Sequence, residues 1–384
     1  MLDLCLVGVS KMRILCINQS SELYGSDRSF LLCVNVLREK YPEADIDVLL
    51  PEEGPLSRRL AEDGFNVVIR EIYKLKKSDI KYGLLNKIIP ALMCLPDRIK
   101  FIKKYDVVYI NTVVVLDYIL ATRFFPGAKI VHVREIPSSA GRPIFKAPLS
   151  FGRVDLIFNS EATKKFFKFG DATKQHVVLN GIGGYKNINS VPFESNKIKI
   201  LLIGRISAWK GQDLLIDAVA GLPVDIKNKI AVRIVGSAAP GNELMEQSMC
   251  DKIKNMGLGD VVEWIPFSRD PETHYDWTDV VVVPSIKPEP FGLVAIEGMS
   301  AGRLVAVADH GGLAEIVTQD FDGIKFEPAN CVALTNAIKR IVIDRDKMKK
   351  IANQGKNTFH EKFSDGVFRH RFIDAFEQAI KRLN

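Results

Sequence analysis

The sequence predicts an α/β protein built from two doubly wound, Rossmann-like domains facing across a cleft. Three observations predict it. The 384-residue chain is longer than one hydrophobic core usually serves. From Met12 onward, short β-branched runs alternate with helical patterns, and near-continuous apolar strands separated by helices mean a parallel sheet covered on both faces. The series also runs twice, with a polar linker around 187–196 between the two passes. Apolar residues make up 47% and charged residues 26%, which excludes wholesale disorder.

In order, RILCIN (13–18) is the first strand, then a helix from about Ser26 to Lys40, then the strand DIDVLLP (45–51). DVVYIN (106–111), KIVHVRE (129–135) and DLIFNS (155–160) continue the sheet, and VVLNGIGG (177–184) closes an N-terminal domain of residues 12–190. A C-terminal domain of residues 197–365 follows with KIKILLIG (197–204), IAVRIVG (230–236), VVEWI (261–265), DVVVVPS (279–285) and RLVAVAD (303–309). Two helices are expected between about 329 and 363. In the closing segment, Phe368, Phe372, Ala375, Phe376, Ala379 and Ile380 recur at helical spacing, so residues 366–384 read as an amphipathic helix packing back on the N-terminal domain.

Several classes fall away. No apolar run reaches the ~18 residues of a membrane-spanning helix, and the opening stretch is a poor signal peptide. Residues 1–11 read as a dispensable leader. The six cysteines are scattered without a C-x-x-C pair, so neither a disulfide framework nor a zinc site is expected, and a reduced, cytoplasmic setting follows. No G-x-G-x-x-G follows a first strand, and P-loop and G-x-S-x-G patterns are absent. Asp45-Ile46-Asp47 begins a strand instead of ending one, and Asp344-Arg345-Asp346 follows a late helix, so neither is read as a metal site.

Charge is uneven. Through residue 193 there are 28 Lys and Arg against 20 Asp and Glu, and residues 74–104 alone carry nine basic side chains against Asp79 and Asp97. An apolar block from Leu84 to Leu95 sits among them, flanked by Lys81, Lys87 and Arg98. Basic edges around an apolar face suit an anionic membrane surface. No nucleic-acid module or aromatic-interleaved basic stripe is present.

Chemistry concentrates in two places. Glu289 lies in a Pro-flanked loop after a strand, Gly292 opens a helix, and Glu297 sits about one turn inside it. Free amides at that helix start would receive a phosphate, with Glu297 and Glu289 on the hydroxyls to either side. The second place is Gly204-Arg205 at a strand end and Lys210-Gly211 opening the next helix. Two cations beside a helix N-terminus are unfavourable unless an anion offsets them, and a pyrophosphate leaving group is one such anion.

Together these patches resemble the family 4 retaining glycosyltransferases of GT-B fold, cell-surface polysaccharide type. The E-x7-E signature is Glu289…Glu297, the G-R-x4-K-G loop is Gly204–Gly211, and the GG-x-x-E stretch is Gly311, Gly312 and Glu315. Weaker agreement comes from Tyr24-Gly25-Ser26-Asp27-Arg28 and from His132 in HVRE. The resemblance implies a nucleotide-diphosphate sugar as donor substrate, with no cofactor and no metal. Arg205 and Lys210 would neutralise the diphosphate, Glu297 would hold the ribose, and Glu289 the donor sugar. Backbone amides of Phe291, Gly292, Leu293 and Val294 would contact sugar and phosphate, and Gly25 would let the first-domain backbone approach the diphosphate. His132 would contact the donor sugar or reacting centre, with Asp27 and Glu135 on the acceptor side. Two departures stand out: Arg303-Leu304 replaces an apolar residue and proline, and Trp264-Ile265-Pro266 stands where a glycine often marks the base pocket.

The expected function is a retaining, metal-independent, hexosyl-type transfer from a UDP- or GDP-sugar to an acceptor hydroxyl. The acceptor would be a saccharide or lipid-linked saccharide in polysaccharide assembly, made by a cytoplasmic protein peripheral to the inner face of the membrane. The alternatives are a nucleotide-sugar epimerase or hydrolase of the same fold, or a non-catalytic nucleotide-sugar-binding, membrane-docking protein.

Overall fold

The computed structural model describes residues 11–75, 79, 83, 85–239 and 241–381. The chain divides into two compact units: 1–159 with 163–178 and 369–384, and 160–162 with 179–368. The first carries strands β1 (Arg13–Asn18), β2 (Asp45–Leu50), β3 (Asn66–Ile69), β4 (Val107–Asn111), β5 (Ala128–Val133), β6 (Asp155–Phe158) and β7 (Gln175–Val177). They form one parallel sheet in the order β3-β2-β1-β4-β5-β6-β7. The second unit carries β8 (Ile198–Ile203), β9 (Ile230–Val235), β10 (Val262–Ile265), β11 (Val280–Val283), β12 (Leu304–Ala308) and β13 (Ile324–Phe326), again parallel, in the order β10-β9-β8-β11-β12-β13. Both orders are Rossmann-like.

The strands read as continuous apolar runs because both faces are covered. Along β8 and β11, Ile198, Ile200, Leu202, Val280 and Val282 enter one buried cluster, while Leu201, Val281 and Val283 enter the other. Two edge strands escaped the sequence reading, β3 and β13, whose four and three residues are too short to show a period. At the other edge, β7 stops at Val177, before the expected VVLNGIGG strand is under way. Beyond it the backbone turns away toward Phe363, and a Cβ on Gly181 would lie 2.5 Å from that of Phe368.

The expected linker is pinned down. Glu272 accepts backbone N–H bonds from Lys186 and Asn187 (2.8 and 2.7 Å), Asp276 from Asn189 and Ser190 (both 2.8 Å), and Asp279 from Phe193 (2.6 Å). The closing helix spans Asp365–Ile380. Its Phe372 ring lies 5.6 Å from Tyr109 and 6.3 Å from His132, both in the first unit.

Helices Leu85–Met93 and Leu95–Ile102 occupy the basic, apolar stretch, with Pro90 inside the first. Ile89, Leu92 and Met93 are exposed, Met93 by 76%. Arg98 departs from expectation. It is buried, bonding Asp117 at 2.9 Å and Asp97 at 2.7 Å, so it is no surface flank. Lys76, Lys77, Lys81 and Leu84 lie outside the described residues.

Candidate active site

In a doubly wound sheet, ligands bind beyond the carboxyl ends of the strands where the order reverses. In the second unit that point lies between β8 and β11, and the two sequence-predicted patches follow those two strands. Their loops meet backbone to backbone. Gly211 has φ +82°, and a Cβ there would lie 2.0 Å from the Pro284 carbonyl oxygen. The Ile286 N–H donates to the Trp209 carbonyl at 2.7 Å.

That contact brings together two groups 79 residues apart: the Lys210 ammonium donates to Glu289 Oε1 at 2.8 Å. The Ser285 hydroxyl donates to the same oxygen, and the ammonium also stands 4.5 Å from the Trp209 ring centroid. The lysine therefore already has a counter-charge, where the sequence alone suggested that only a bound anion offsets it. Arg205 is exposed at the end of β8, its carbonyl accepting from the Gln212 side chain at 3.1 Å.

The Glu289 loop rests on Gly311 and Gly312. A Cβ on Gly311 would lie 2.5 Å from the Glu289 carbonyl, which itself accepts the Gly312 N–H at 2.8 Å. Imidazole Nε2 of His310 sits 2.8 Å from the Ser285 carbonyl oxygen. The helix Leu293–Ser300 starts after Gly292, whose φ of +134° favours glycine. First-turn amides of a helix have no partner within it, so this start is electropositive. Phe291 is buried edge-on to Phe363, and Leu293 and Val294 are half-buried. Glu297, one turn in and 8% exposed, accepts the Tyr275 hydroxyl at 2.8 Å. Glu315 does other work: it accepts the backbone N–H groups of Glu161 (2.8 Å) and Ala162. Trp264 is held by its indole N–H on the Gly236 carbonyl at 3.0 Å.

In the first unit the reversal lies between β1 and β4, and both strands end in asparagine. Asn111 donates to Asn18 (2.8 Å), and Asn18 donates to Asp27 (3.0 Å). Asp27 also accepts the Tyr24 N–H at 3.3 Å, so it braces the loop before helix Gly25–Lys40, and burial raises its carboxyl above the usual range. Gly25 is the half-buried first residue of that helix. Glu135 accepts from the Thr112 hydroxyl and from the N–H groups of Val113 (3.3 Å) and Arg134 (3.2 Å), with its carboxyl likewise raised by burial. It clasps the turn where Thr112 adopts φ +129°, a costly conformation for a β-branched residue.

His132 differs most from its expected setting. It is fifth of six residues in β5, as its pattern implied, but its ring is wholly buried. Nδ1 lies 2.9 Å from the Tyr109 hydroxyl, the ring stacks on Phe372, and buried Nε2 has no protein partner. Burial, reinforced by Arg134, pushes its pKa well below the ordinary histidine value. Tyr109 and Phe372 thus pack directly on the ring. Arg134 does stand at the strand end, donating to Asn111 and approaching Cys33 Sγ at 3.5 Å. Sequence reasoning passed over Asn18, Asn111, Thr112 and Arg134. An asparagine closing each of two apolar strands was the available signal.

The two sheets and their strand orders are those of GT-B glycosyltransferases. The Anabaena protein HepE in complex with UDP and glucose shares the fold at TM-score 0.78, with 23% identity over 96% of this chain and 100% of its own. Residues 186–358 match the family described as glycosyl transferases group 1. An uncharacterized glycosyltransferase of Methanocaldococcus jannaschii is 29% identical over 224 residues, 55% of each chain. The lipopolysaccharide 1,2-N-acetylglucosaminetransferase of Salmonella typhimurium is 30% identical over 170 residues, 43% of this chain and 44% of its own. The chain thus spans about half the length of the curated relatives it matches.

Proposed function

We propose that this chain is a retaining, metal-independent glycosyltransferase that moves a hexosyl group from a UDP- or GDP-sugar to an acceptor hydroxyl. The observation that carries the reading is the meeting of Lys210 with Glu289 at 2.8 Å beside the start of the Glu297 helix. One loop pair then offers cations for a diphosphate, a carboxylate for the transferred sugar, and a second carboxylate one helical turn away for the ribose. An ammonium has three donors, so Lys210 can keep Glu289 while turning to a phosphate oxygen. The Anabaena neighbour that holds UDP and glucose supports the donor class.

In this reading the bond from the anomeric carbon to the diphosphate oxygen breaks first. The acceptor oxygen attacks from the same face, and its proton passes to the departing diphosphate. Arg205, Lys210 and the Phe291–Val294 amides stabilise the charge that develops on the leaving group, and the rest is placement. Glu135 and Asp27 act on the acceptor side by fixing the loops that receive it, and His132 acts by holding Tyr109 and Arg134. The acceptor is a lipid-linked saccharide, met at an anionic bilayer by Ile89, Leu92 and Met93 with the basic residues around them. No helix among the described residues is long and apolar enough to cross a membrane. The Salmonella relative, named for lipopolysaccharide, supports this acceptor class.

Incubation with a panel of UDP- and GDP-sugars and a bacterial lipid-linked saccharide extract tests the reading. Proton NMR of the product should show the donor's anomeric configuration. Inverted product, or donor consumed with no glycosylated acceptor, overturns it. Co-sedimentation with vesicles of phosphatidylglycerol should weaken with salt and fall in the Leu92→Ser/Met93→Ser protein. Equal binding to neutral vesicles removes the membrane role.

A further inference from the structure

We propose that Arg303 is a positioning residue for Glu297, acting through Tyr275. The inference rests on the reading of Glu297 as the ribose carboxylate. Arg303 directly precedes β12 and is 1% exposed, among the largest fully buried side chains. Its Nε donates to the Tyr275 carbonyl at 2.8 Å, and Nη2 donates to the Ser190 hydroxyl at 2.8 Å and to the Ser190 and Asp276 carbonyls at 3.2 and 3.3 Å. Tyr275 and Asp276 close the helix Pro271–Trp277, so the guanidinium sits where a helix favours a cation. The Arg303 backbone N–H meanwhile donates to the Gly298 carbonyl at 2.9 Å, inside the helix that carries Glu297. One residue therefore ties two helix ends together. Across that junction Tyr275, itself fully buried, delivers its hydroxyl to Glu297.

The guanidinium also pairs with the Asp276 carboxylate at 3.5 Å, but a buried ion pair is weak evidence of a choice made for stability. A buried guanidinium loses its hydration, and apolar side chains of similar volume commonly stabilise a core as well or better. Nη1 is buried with no protein partner, a further cost. What the planar fork supplies is direction: it fixes the Tyr275 carbonyl relative to Ser190, and hence the line along which the phenol reaches Glu297. A carboxylate held by a fixed donor meets a ligand without first having to be ordered.

The test uses the full chain, with UDP and 2′,3′-dideoxy-UDP as probes in calorimetry and the carboxyl ¹³C signal of Glu297 in labelled protein as a ligand-free readout. Wild type should bind UDP about tenfold more tightly than the dideoxy compound, the worth of one charge-assisted hydrogen bond. Glu297→Gln should erase that preference. Arg303→Met and Tyr275→Phe should each cut it at least about threefold, and the double variant no further, since both act through one relay. Both should shift the Glu297 signal. Arg303→Lys keeps the charge but cannot span both carbonyls, so it serves if the methionine variant does not fold, and it should also lose the preference. An unmoved Glu297 signal and wild-type preference in the Arg303 variants would overturn the relay, as would additive effects with Tyr275→Phe. If the signal moves but Glu297→Gln keeps the preference, the relay stands and the ribose reading fails.

Discussion

Replacing Lys210 by methionine separates structure from catalysis at the centre of the site. The substitution keeps the stem over Trp209 and deletes the charge, leaving Glu289, 6% exposed, with the Ser285 hydroxyl and His310 nearby. Breaking a fully buried ion pair from one side typically costs 3–5 kcal/mol. Here the lysine side chain is 24% exposed and the glutamate 8%, so solvent screens part of the loss, and about 1–3 kcal/mol is expected. A unit of this size loses about 2–4 °C per kcal/mol, so the melting temperature should fall by several degrees. Glu289→Gln should cost less, because the freed ammonium can turn to water. The double variant should be more stable than the sum of the two changes implies, with a coupling of about 1–2 kcal/mol. Activity should follow a different pattern. If Lys210 also faces the leaving diphosphate, kcat should fall about 10²–10³-fold, and removing Glu289 as well should not restore it. Calorimetric melting and initial rates at saturating donor measure the two halves. A Lys210→Met protein that melts early yet turns over at the wild-type rate would leave the ion pair a purely structural clasp and refute its catalytic reading.

Other expectations are more compact. Gly211→Ala should abolish donor binding, because the new methyl would meet the Pro284 carbonyl at 2.0 Å and the φ of +82° is strained for alanine; wild-type UDP affinity would contradict the close approach of the two loops. His132 binds its proton less well folded than unfolded, so its contribution to stability is complete above the unfolded value of about 6.5 and is lost as pH falls below it. His132→Phe should flatten the acid limb of a stability–pH profile by about one proton while lowering kcat only modestly, and an unchanged slope would contradict its neutral burial. Turnover should survive EDTA, and loss restored by Mn²⁺ or Mg²⁺ would reinstate a metal.

Most of the fold was legible because covered parallel strands must be apolar throughout, and RILCIN, KIKILLIG and DVVVVPS satisfy that without tertiary help. The short edge strands were not, since three or four residues facing few neighbours carry no period. The site divided in the same way. Glu289, Gly292 and Glu297 belong to one loop and helix, so their spacing is written along the chain. The partnership of Lys210 with Glu289 is not, because it depends on two loops brought together by the β8–β11 pairing. Arg303 was visible only as a departure from a pattern. Its burial and fork become meaningful once Tyr275 and Ser190 stand beside it. The burial of His132 was not legible, because the Phe372 ring that stacks on it arrives 240 residues later.

That late arrival bears on how the protein is made. The first unit is discontinuous, completed by residues 369–384, whereas the second runs almost unbroken from 179 to 368. On the ribosome the second unit can finish folding while Tyr109 and His132 still lack Phe372, and Tyr41 still lacks Phe376. Until the closing helix emerges, the first sheet carries an open aromatic face, the kind of surface that chaperones hold and that aggregates when they do not. Vectorial synthesis thus reverses the order of the chain: the unit translated first is the last to be sealed. A fragment ending at residue 368 should accumulate with a native second unit and a sticky, protease-sensitive first one.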